Sequence, residues 1–330
     1  MKPTAALRLH CSAAFLALLA LAVAAPAQQT SVPRIGWVLS GTAENSRHLI
    51  EAMRAGLADE GLVVGRGVEL DVRFTEGRPE RYAEQFADLI KKPVHVLAAS
   101  GHAGISAARD ASGGRIPVAA YFCGNAVDQM VESFAKPGGN ITGVSCLSAE
   151  LAAKRIELLK DALPSLRRIG FLYDPRIPGK DKELAKTREI AGKLGMTVTA
   201  ATASAAEDFE DAFAALYRDR AEAVVISEDA FTFAHRARIV AQAAVHQMVD
   251  ISAYREFVLA GGVMSYGANS VERLRHQARY AARMARGIKP WDLPIDQATR
   301  FEFVVSLKAA RARGVTIPQR LLLRADEVIE

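Results

Sequence analysis

Runs of apolar residues alternate with helix-like patterns along almost the whole chain, and this alternation restricts the fold more than any other feature. Most of these runs are apolar at successive positions, which predicts strands buried on both faces. Strands of that kind, separated by helices, are typical of parallel sheets with helices on either side. The first series of predicted strands comprises residues 35–39, 68–74, 94–99, 117–122 and 141–144.

Helical spacing is clear between these strands. We predict a first helix that opens at 40–42 and carries Leu49, Met53 and Leu57 on one face. Gly61 follows as a residue typical of a helix C-cap. The same apolar spacing recurs in the later connecting segments.

A second series of similar length begins near position 148. Its predicted strands are residues 169–173, 196–201, 223–227 and 249–252. Two consecutive series predict an α/β fold with two Rossmann-like, doubly wound parallel-sheet lobes.

The last part of the chain does not form a third series. Residues 263–266, 270–286, 290–294 and 301–307 are too short to bury a core of their own, so they should complete the two lobes. A chain that passes between two lobes more than once joins them by a hinge, and hinged lobes commonly close on a ligand.

The N-terminus has the pattern of a cleavable secretory signal peptide. Lys2 and Arg8 precede the apolar run 13–25, which ends in Ala25-Pro26-Ala27. A run of that length would extend about 20 Å as a helix, short of the roughly 30 Å of a bilayer core. We therefore predict that residues 1–27 are removed and that the protein lies in the periplasm.

The remaining chain of roughly 300 residues suits two domains of ordinary size. Without Lys2 and Arg8 it has 40 basic residues against 37 acidic ones, a net charge of +3. So small an excess disfavours nucleic-acid binding. Cys123 and Cys146 either form a disulfide in an oxidising compartment or are two buried thiols.

Motifs for catalysis are missing from the sequence. Gly65-Arg66-Gly67 lacks the third glycine of a dinucleotide fingerprint and precedes a strand, so it predicts a turn. The segment 262–267 has one residue too many for a nucleophile elbow. No Walker loop, CxxC or HExxH motif occurs. We therefore predict no enzyme, no catalytic residue, no metal and no cofactor.

Polar and aromatic residues follow the predicted strands of both series. In open α/β sheets, ligands lie beyond the carboxyl ends of the strands, where helix N-termini face the cleft. Ordinary helix capping by Ser and Asp is the alternative interpretation for each single residue. The candidate ligand-binding residues are Ser40, Thr42, Ser100, Gly101, His102, Asn125, Tyr173, Asp174, Asp229, Phe231, Tyr254 and Tyr266.

These residue types together fit an amino-acid ligand. Hydroxyl and backbone N–H groups could bind a carboxylate, and Asp229, Asp174 or Glu228 could face an ammonium group. Aromatic rings among the candidates could stack against a large apolar side chain of the ligand.

Several local strings resemble one protein family. They are 33–39 (PRIGWVL), 136–144 (KPGGNITGV), 150–159 (ELAAKRIELL), 254–258 (YREFV), 261–267 (GGVMSYG) and 324–329 (RADEVI). The chain resembles the ABC-transporter substrate-binding proteins of the tryptophan/tyrosine type, over essentially all of its mature length. That resemblance implies the type I periplasmic-binding-protein fold, with three crossover segments and a ligand between the lobes.

Three loops are similar to loops of that family. Residues 99–103 correspond to its glycine-rich loop, with His102 as an unusual occupant. Asp229 and Phe231 keep the pattern Asp-Pro-Phe-Phe. Asn125 replaces the acid of Gly-Asp-Pro-Val, which removes one ammonium partner.

The predicted function is the periplasmic solute-binding component of an ABC importer, with no nucleic-acid partner. It would close on an aromatic or branched apolar amino acid, or a related carboxylate. It would then deliver this solute to an ABC permease in the inner membrane, with which it interacts only by docking. The resemblance implies a monomer. The alternatives are a ligand-sensing domain for a membrane signalling partner and, less favoured, a periplasmic enzyme. The predicted lobes comprise 33–146 with about 267–290, and 147–266 with about 291–330.

Overall fold

The computed structural model describes residues 32–122, 127, 130–146 and 148–330. The predicted signal peptide, Cys123 and the candidate residue Asn125 lie outside the described residues. Residues Pro33–Glu330 form one unit by their mutual contacts, and both sheets belong to it.

The first sheet is parallel throughout. Over the described residues, its strand order is β11–β5–β4–β3–β1–β2, with β11 and β2 at the two edges. These strands are β1 (Arg34–Leu39), β2 (Glu69–Phe74), β3 (Val96–Ser100), β4 (Val118–Phe122), β5 (Ile141–Ser145) and β11 (Asp296–Gln297).

The second sheet is parallel except for one antiparallel pair, β10 with β12. Its order within the described part of the chain is β13–β12–β10–β9–β8–β6–β7. These strands are β6 (Arg168–Tyr173), β7 (Thr197–Thr202), β8 (Ala223–Ile226), β9 (Val249–Ser252), β10 (Met264–Ala268), β12 (Phe301–Ser306) and β13 (Glu327–Ile329).

Helices cover both faces of the sheets. Along β1, Ile35 and Trp37 pack in one core cluster and Val38 packs in another, as expected when alternate side chains point to opposite covered faces. The helices are α1 (Arg47–Asp59), α2 (Arg81–Leu89), α3 (Gly101–Ser112), α4 (Ser148–Ala162), α5 (Lys180–Lys193), α6 (Asp208–Arg218), α7 (Ala230–Ala234), α8 (Arg236–Val245), α9 (Arg255–Leu259), α10 (Ser270–Ala285), α11 (Leu307–Ala312) and α12 (Gln319–Leu322).

The predicted α/β fold with two doubly wound lobes is confirmed. The chain passes between the sheets after β5, between β10 and α10, and between β11 and β12. Strand β11 pairs with β5 through Asp296 opposite Val144. The first lobe therefore extends beyond the boundary that we predicted near 290.

The predicted strands of both series agree with the observed ones to within two residues. The predicted first helix differs, because α1 begins at Arg47 rather than at 40–42. The Thr42 N–H donates to Asn45 Oδ1 (2.9 Å) and the Asn45 N–H donates to Thr42 Oγ1 (3.3 Å). Such local side-chain bonds compete with helix formation and keep this segment a loop.

Helix α10 is anchored on the first sheet. Gln277 Nε2 donates to the carbonyl oxygens of Ala99 (2.9 Å) and Ala119 (2.8 Å). On its other side α10 packs closely on α1, where a Cβ added to Gly56 would lie 2.7 Å from Ala278 Cβ. This anchoring fixes the start of α10 beside the carboxyl ends of the first-sheet strands.

The buried ion pair between Asp250 and Arg313 makes a stability prediction. Its atoms are 2.9 Å apart, with side chains 0% and 2% exposed. Removing one partner leaves the other charge buried, which costs about 3–5 kcal/mol. We expect Asp250→Ala to lower the free energy of unfolding by about that amount in urea denaturation.

The matched control is the pair of Asp161 with Arg324, which is 2.7 Å apart and partly exposed. Water screens such a pair, so Asp161→Ala should change the free energy of unfolding by about 1 kcal/mol or less. Equal losses in the two variants would contradict a special role for burial.

Candidate ligand-binding site

A cavity of about 250 Å³ lies between the carboxyl ends of the two sheets. Both lobes contribute to its wall. The first lobe supplies Ser40, Thr75, Gly77, Pro79, Tyr82, Gly101, His102 and Ala103; the second supplies Asp174, Arg176, Ile177, Pro178, Gly179, Lys180, Glu183, Glu228, Asp229, Ala230 and Phe231.

In the first lobe, the loops after β1 and β2 hold each other in place. Thr75 Oγ1 donates to the carbonyl oxygen of Ser40 at 3.2 Å, and the Gly77 N–H donates to the same oxygen at 2.6 Å. The wall continues at the start of α3, where Gly101 has a φ of +69°. A Cβ at Gly101 would lie 3.5 Å from Ala230 Cβ of the second lobe, so the two lobes nearly touch there.

In the second lobe, Asp229 caps the short helix α7. Its Oδ1 accepts the Thr232 N–H at 2.7 Å, and Thr232 Oγ1 donates to the Ser227 carbonyl at 2.8 Å. Asp229 is only 5% exposed. Burial raises its pKa, against the opposing effects of Lys180 and the Thr232 N–H. Among the described residues, no basic side chain forms an ion pair with Asp229.

Other charges in the wall are paired. Lys180 Nζ donates to Glu183 Oε2 (2.7 Å) and to the Glu228 carbonyl (3.0 Å). Burial acts to lower the pKa of Lys180, but Glu183, Asp229 and Glu228 outweigh it, so the pKa is raised. The Glu228 carboxylate in turn accepts from Arg155 at 3.1 Å.

Asp174, at the end of β6, is occupied by its own lobe. Its Oδ2 accepts from Arg176 Nη2 at 2.7 Å and its Oδ1 accepts from Ser204 Oγ at 3.2 Å. Arg176 also donates to the Ser204 carbonyl. Asp174 therefore holds the loop that contains Arg176 in place. Both carboxylate oxygens of Asp174 already accept hydrogen bonds from its own lobe.

Rings form the apolar part of the wall. Phe231 stacks on Phe209, with 5.4 Å between ring centroids, and meets His235 edge-on. Across the cavity, His102 has a buried Nδ1 with no hydrogen-bond partner among the described residues. Burial, together with Arg109, lowers the pKa of His102, which keeps the imidazole neutral at pH 7.

A second, smaller cavity of about 40 Å³ adjoins the first. The two share wall residues, namely Ser40, Tyr82, Gly101 and Ala230. Further wall residues of this inner cavity are Val38, Leu39, Gly41, Ser46, Leu49, Ser100, Tyr121, Phe233, Tyr254, Arg273 and Leu274.

Polar contacts between the lobes surround the cavities. His48 Nε2 lies 3.1 Å from Glu256 Oε1, and His235 Nε2 lies 3.0 Å from the Gly77 carbonyl oxygen. In this arrangement the lobes are closed over the cavities.

Most of the predicted site residues meet here. Ser40, Gly101, His102, Asp174, Asp229 and Phe231 line the large cavity, and Ser100 and Tyr254 line the small one. The structure places three others away from both cavities. Thr42 is exposed in its loop. Tyr173 packs against Phe171 in the hydrophobic core of the second lobe, and Tyr266 packs against Phe301.

Sequence reasoning missed Thr75, Tyr82, Arg176, Lys180, Glu183 and Arg273. Two of them carried a usable signal. Lys180 is the first residue of a helix, where the helix dipole disfavours a cation. A lysine at that position therefore indicates that nearby acidic groups compensate its charge. Arg273 is in register with Gln277 and Ala281 on the buried face of α10, where a charge must be compensated.

Two α/β lobes closed over a cavity with polar and aromatic walls define a solute-binding receptor. A family model described as ABC transporter substrate binding protein matches residues 37–329. The chain belongs to this family, which confirms the class predicted from the sequence.

Known proteins agree with this assignment. A tyrosine-binding protein of Clostridioides difficile is 22% identical over 281 residues, covering 82% of this chain and 79% of that protein. A conserved domain protein from Vibrio cholerae has a TM-score of 0.83 at 22% identity, covering 90% of this chain and all of the other. An ABC domain from Streptococcus pneumoniae in complex with L-Trp has a TM-score of 0.81 at 21% identity, covering 91% and 100%. The two structural likenesses show the shared fold.

Two further features concern the described residues alone. The described residues include no group of three or more His, Cys, Asp or Glu side chains placed to hold a metal ion. Over the same residues, no helix has the length and apolar character needed to cross a bilayer. Cys146 is buried, and its pairing with Cys123 stays open because Cys123 lies outside this part of the chain.

We expect Asp229→Asn to stabilise the ligand-free protein increasingly as pH rises. The pKa of Asp229 is raised above its ordinary 3.8 in the folded state. Ionisation therefore costs stability once pH exceeds the unfolded value, and the cost is complete above the folded pKa. Asn keeps the capping oxygen but cannot ionise. Urea midpoints of both proteins from pH 3 to pH 7 should diverge.

Asp208→Asn provides a control of opposite sign. Asp208 Oδ2 accepts the N–H groups of Ser204 (2.7 Å) and Ala205 (2.8 Å), which lower the pKa of this carboxyl. A lowered folded pKa contributes stability above the unfolded value, and that stability is lost as pH falls. Asp208→Asn should thus be less stable than wild type at pH 7, with a smaller deficit at pH 3. Parallel pH profiles in the two variants would contradict both assignments.

Proposed function

We propose that this chain binds a small zwitterionic solute in the cleft, an aromatic or branched apolar amino acid being the preferred class, and delivers it to an ABC permease. The supporting observation is the buried carboxylate of Asp229 in a wall that otherwise holds paired charges and rings. A ligand ammonium group beside Asp229 would compensate that charge. We propose further that residues 1–27 direct the chain to the periplasm.

The cavity wall supports the apolar part of this proposal. Tyr82, Pro79 and His102 lie on the first-lobe side, and Phe231 and Pro178 lie on the second-lobe side. Flat rings on opposite sides of a cleft suit a planar side chain, because stacked rings gain contact area without losing much rotamer freedom. The names of relatives point the same way, since one is a tyrosine-binding protein and one structure holds L-Trp.

The contacts can supply the affinity that a receptor needs. A charge-assisted hydrogen bond contributes roughly 1.5–3 kcal/mol. Three or four such bonds, together with burial of a ring, would reach the ~8 kcal/mol of a micromolar complex.

A ligand screen tests the proposal directly. The mature protein should show a raised melting temperature with at least one aromatic or branched apolar L-amino acid, because a ligand that binds only the folded state stabilises it. Sugars and nucleosides serve as comparison solutes in the same assay. If no amino acid or related carboxylate raises the melting temperature at millimolar concentration, the proposed ligand class is wrong.

We expect Asp229→Asn to weaken binding of the best amino acid about 10- to 100-fold in isothermal titration calorimetry. The reason is the loss of the charge that faces the ligand ammonium. The same variant should be more stable without ligand, so weaker binding cannot be attributed to unfolding. Asp208→Asn, which changes another carboxylate that accepts backbone N–H groups but lies outside the cavity wall, should bind like wild type.

Delivery to a permease is tested in cells. A strain lacking this gene should lose high-affinity uptake of the identified solute and regain it with the wild-type gene but not with Asp229→Asn. Unchanged uptake, with a lost transcriptional or chemotactic response to the solute, would favour the sensing alternative. Turnover of the bound solute by purified protein would favour an enzyme.

A further inference from the structure

One buried carboxylate of the second lobe takes its hydrogen bonds from the first lobe. Glu256 lies in α9, which packs on β10 and β12 of the second sheet, and its side chain is 7% exposed. Its Oε1 lies 3.1 Å from Nε2 of His48 in α1, and its Oε2 accepts from Ser270 Oγ, at the start of α10, at 3.1 Å. Helices α1 and α10 pack on each other in the first lobe, so this carboxylate joins the lobes.

The contact carries a charge. Burial acts to raise the pKa of Glu256, but the bond to His48 and the charge of Arg273 outweigh it, so the pKa is lowered and the carboxyl is ionised at pH 7. An ionised carboxylate only accepts hydrogen bonds, so His48 Nε2 is the donor. Arg273 is connected through Ser270, because its Nη2 donates to Ser270 Oγ at 3.3 Å. First-lobe groups therefore compensate the charge of a second-lobe side chain.

Three other charged side chains near Glu256 belong to its own lobe. Arg255 lies in α9, Arg236 in α8 and Glu302 in β12, and each of them interacts electrostatically with Glu256. They would move together with Glu256 in a hinge motion. Opening the cleft would therefore alter the contacts of this carboxylate with the first lobe and leave those with the second lobe in place.

Two other polar contacts between the lobes have a different character. His235 Nε2 lies 3.0 Å from the Gly77 carbonyl oxygen, which is an uncharged acceptor. Arg236 Nη2 donates to the Asn45 carbonyl over a longer distance of 3.4 Å. Glu256, in contrast, contributes a buried charge, and a buried charge that loses a partner is costly. We therefore expect it to have the largest effect on the free-energy difference between the closed and the open lobes.

The contact also adjoins the inner cavity. Tyr254 lies two residues before Glu256, and Leu49 directly follows His48; both line that cavity. Tyr254 also stacks on the guanidinium of Arg273, whose carbon lies 4.7 Å from the ring centroid. Because the same segments form the contact and the wall, the contact can be made only when the inner cavity is closed.

We propose that Glu256, held by His48 and Ser270, is an interlobe latch that favours the closed arrangement before any solute is bound. In the closed protein the buried carboxylate depends on its first-lobe partners, whereas in an open protein water can replace them. Neither Glu256 nor His48 lines the large or the inner cavity. The latch therefore sets the affinity for a solute from outside the cavity wall, because apparent affinity falls with the fraction of binding-competent protein. This inference goes beyond the proposed function and holds for any solute.

Small-angle X-ray scattering of the ligand-free mature protein tests the proposal. The curve is fitted as a mixture of the closed arrangement and one in which the lobes are rotated apart about the crossover segments, which gives a closed-to-open ratio. His48→Ala should lower this ratio at least about tenfold, because a hydrogen bond to a charged group is lost in the closed state alone. His48→Gln keeps an N–H donor and should restore a large part of the ratio.

A double-variant cycle shows whether the two side chains act through each other. Glu256→Gln should also lower the closed-to-open ratio, because it removes the charge that the first lobe compensates. If His48 acts through this carboxylate, adding His48→Ala to Glu256→Gln should change the ratio much less than His48→Ala does in wild type.

Two substitutions serve as matched controls. Arg54 is exposed on the same helix as His48 and forms no hydrogen bond or ion pair with the second lobe among the described residues. Glu189 accepts from Lys186 at 2.9 Å and from Lys193 at 2.6 Å, all within α5. Arg54→Ala and Glu189→Gln should therefore leave the closed-to-open ratio as in wild type.

The outcomes decide the latch independently of the ligand. An unchanged ratio in folded His48→Ala overturns it, and so does a His48→Gln protein that is as open as His48→Ala. Should Glu256→Gln not fold, the variants of the partly exposed His48 still decide the question. Since no ligand is present, rejection of the latch leaves solute binding untouched, and an amino-acid screen without a hit leaves the latch untouched.

Discussion

Charges that are removed from water must be compensated, and this constraint organises the cleft. Lys180 is compensated by Glu183 and a backbone carbonyl, and Glu228 by Arg155. The bond from Lys180 to the Glu228 carbonyl and the pair of Arg155 with Glu228 link the loop after β8 to helices α5 and α4 of the second lobe. Separating these groups would leave a buried charge uncompensated, which is costly, so the bonds favour the observed positions of the wall residues.

The same constraint gives closure a chemical meaning. The Asp229 carboxylate accepts the Thr232 N–H of its own helix and is also offset electrostatically by Lys180, while Arg273 is stacked between a ring from each lobe. In the proposed function, a ligand ammonium group beside Asp229 would add to the compensation of that carboxylate. Closure and ligand binding would then stabilise each other, because both lobes contribute to the cavity wall that would contact the ligand.

The strands could be predicted almost completely, but the cleft only in part. Most strands from β1 to β10 are apolar runs, and β2 alternates charged with apolar residues, so each strand left a pattern that could be recognised. Strand β11 did not, because two residues that pair at a sheet edge have no periodicity. Glycine and aspartate after strands marked Gly101 and Asp229 as residues of the cleft, whereas Lys180 and Arg273 reach it through the packing of whole helices.

The sequence by itself determined the class of fold, because strand and helix periodicity are local properties of neighbouring residues. It also determined which loops follow strands, and hence the edge of each sheet at which a ligand could bind. Only the tertiary structure decided which of those loops face one another across a gap. It put Tyr173 and Tyr266 into packing against other rings and brought Arg273 to the cavity, since these positions depend on how elements distant in the chain pack together.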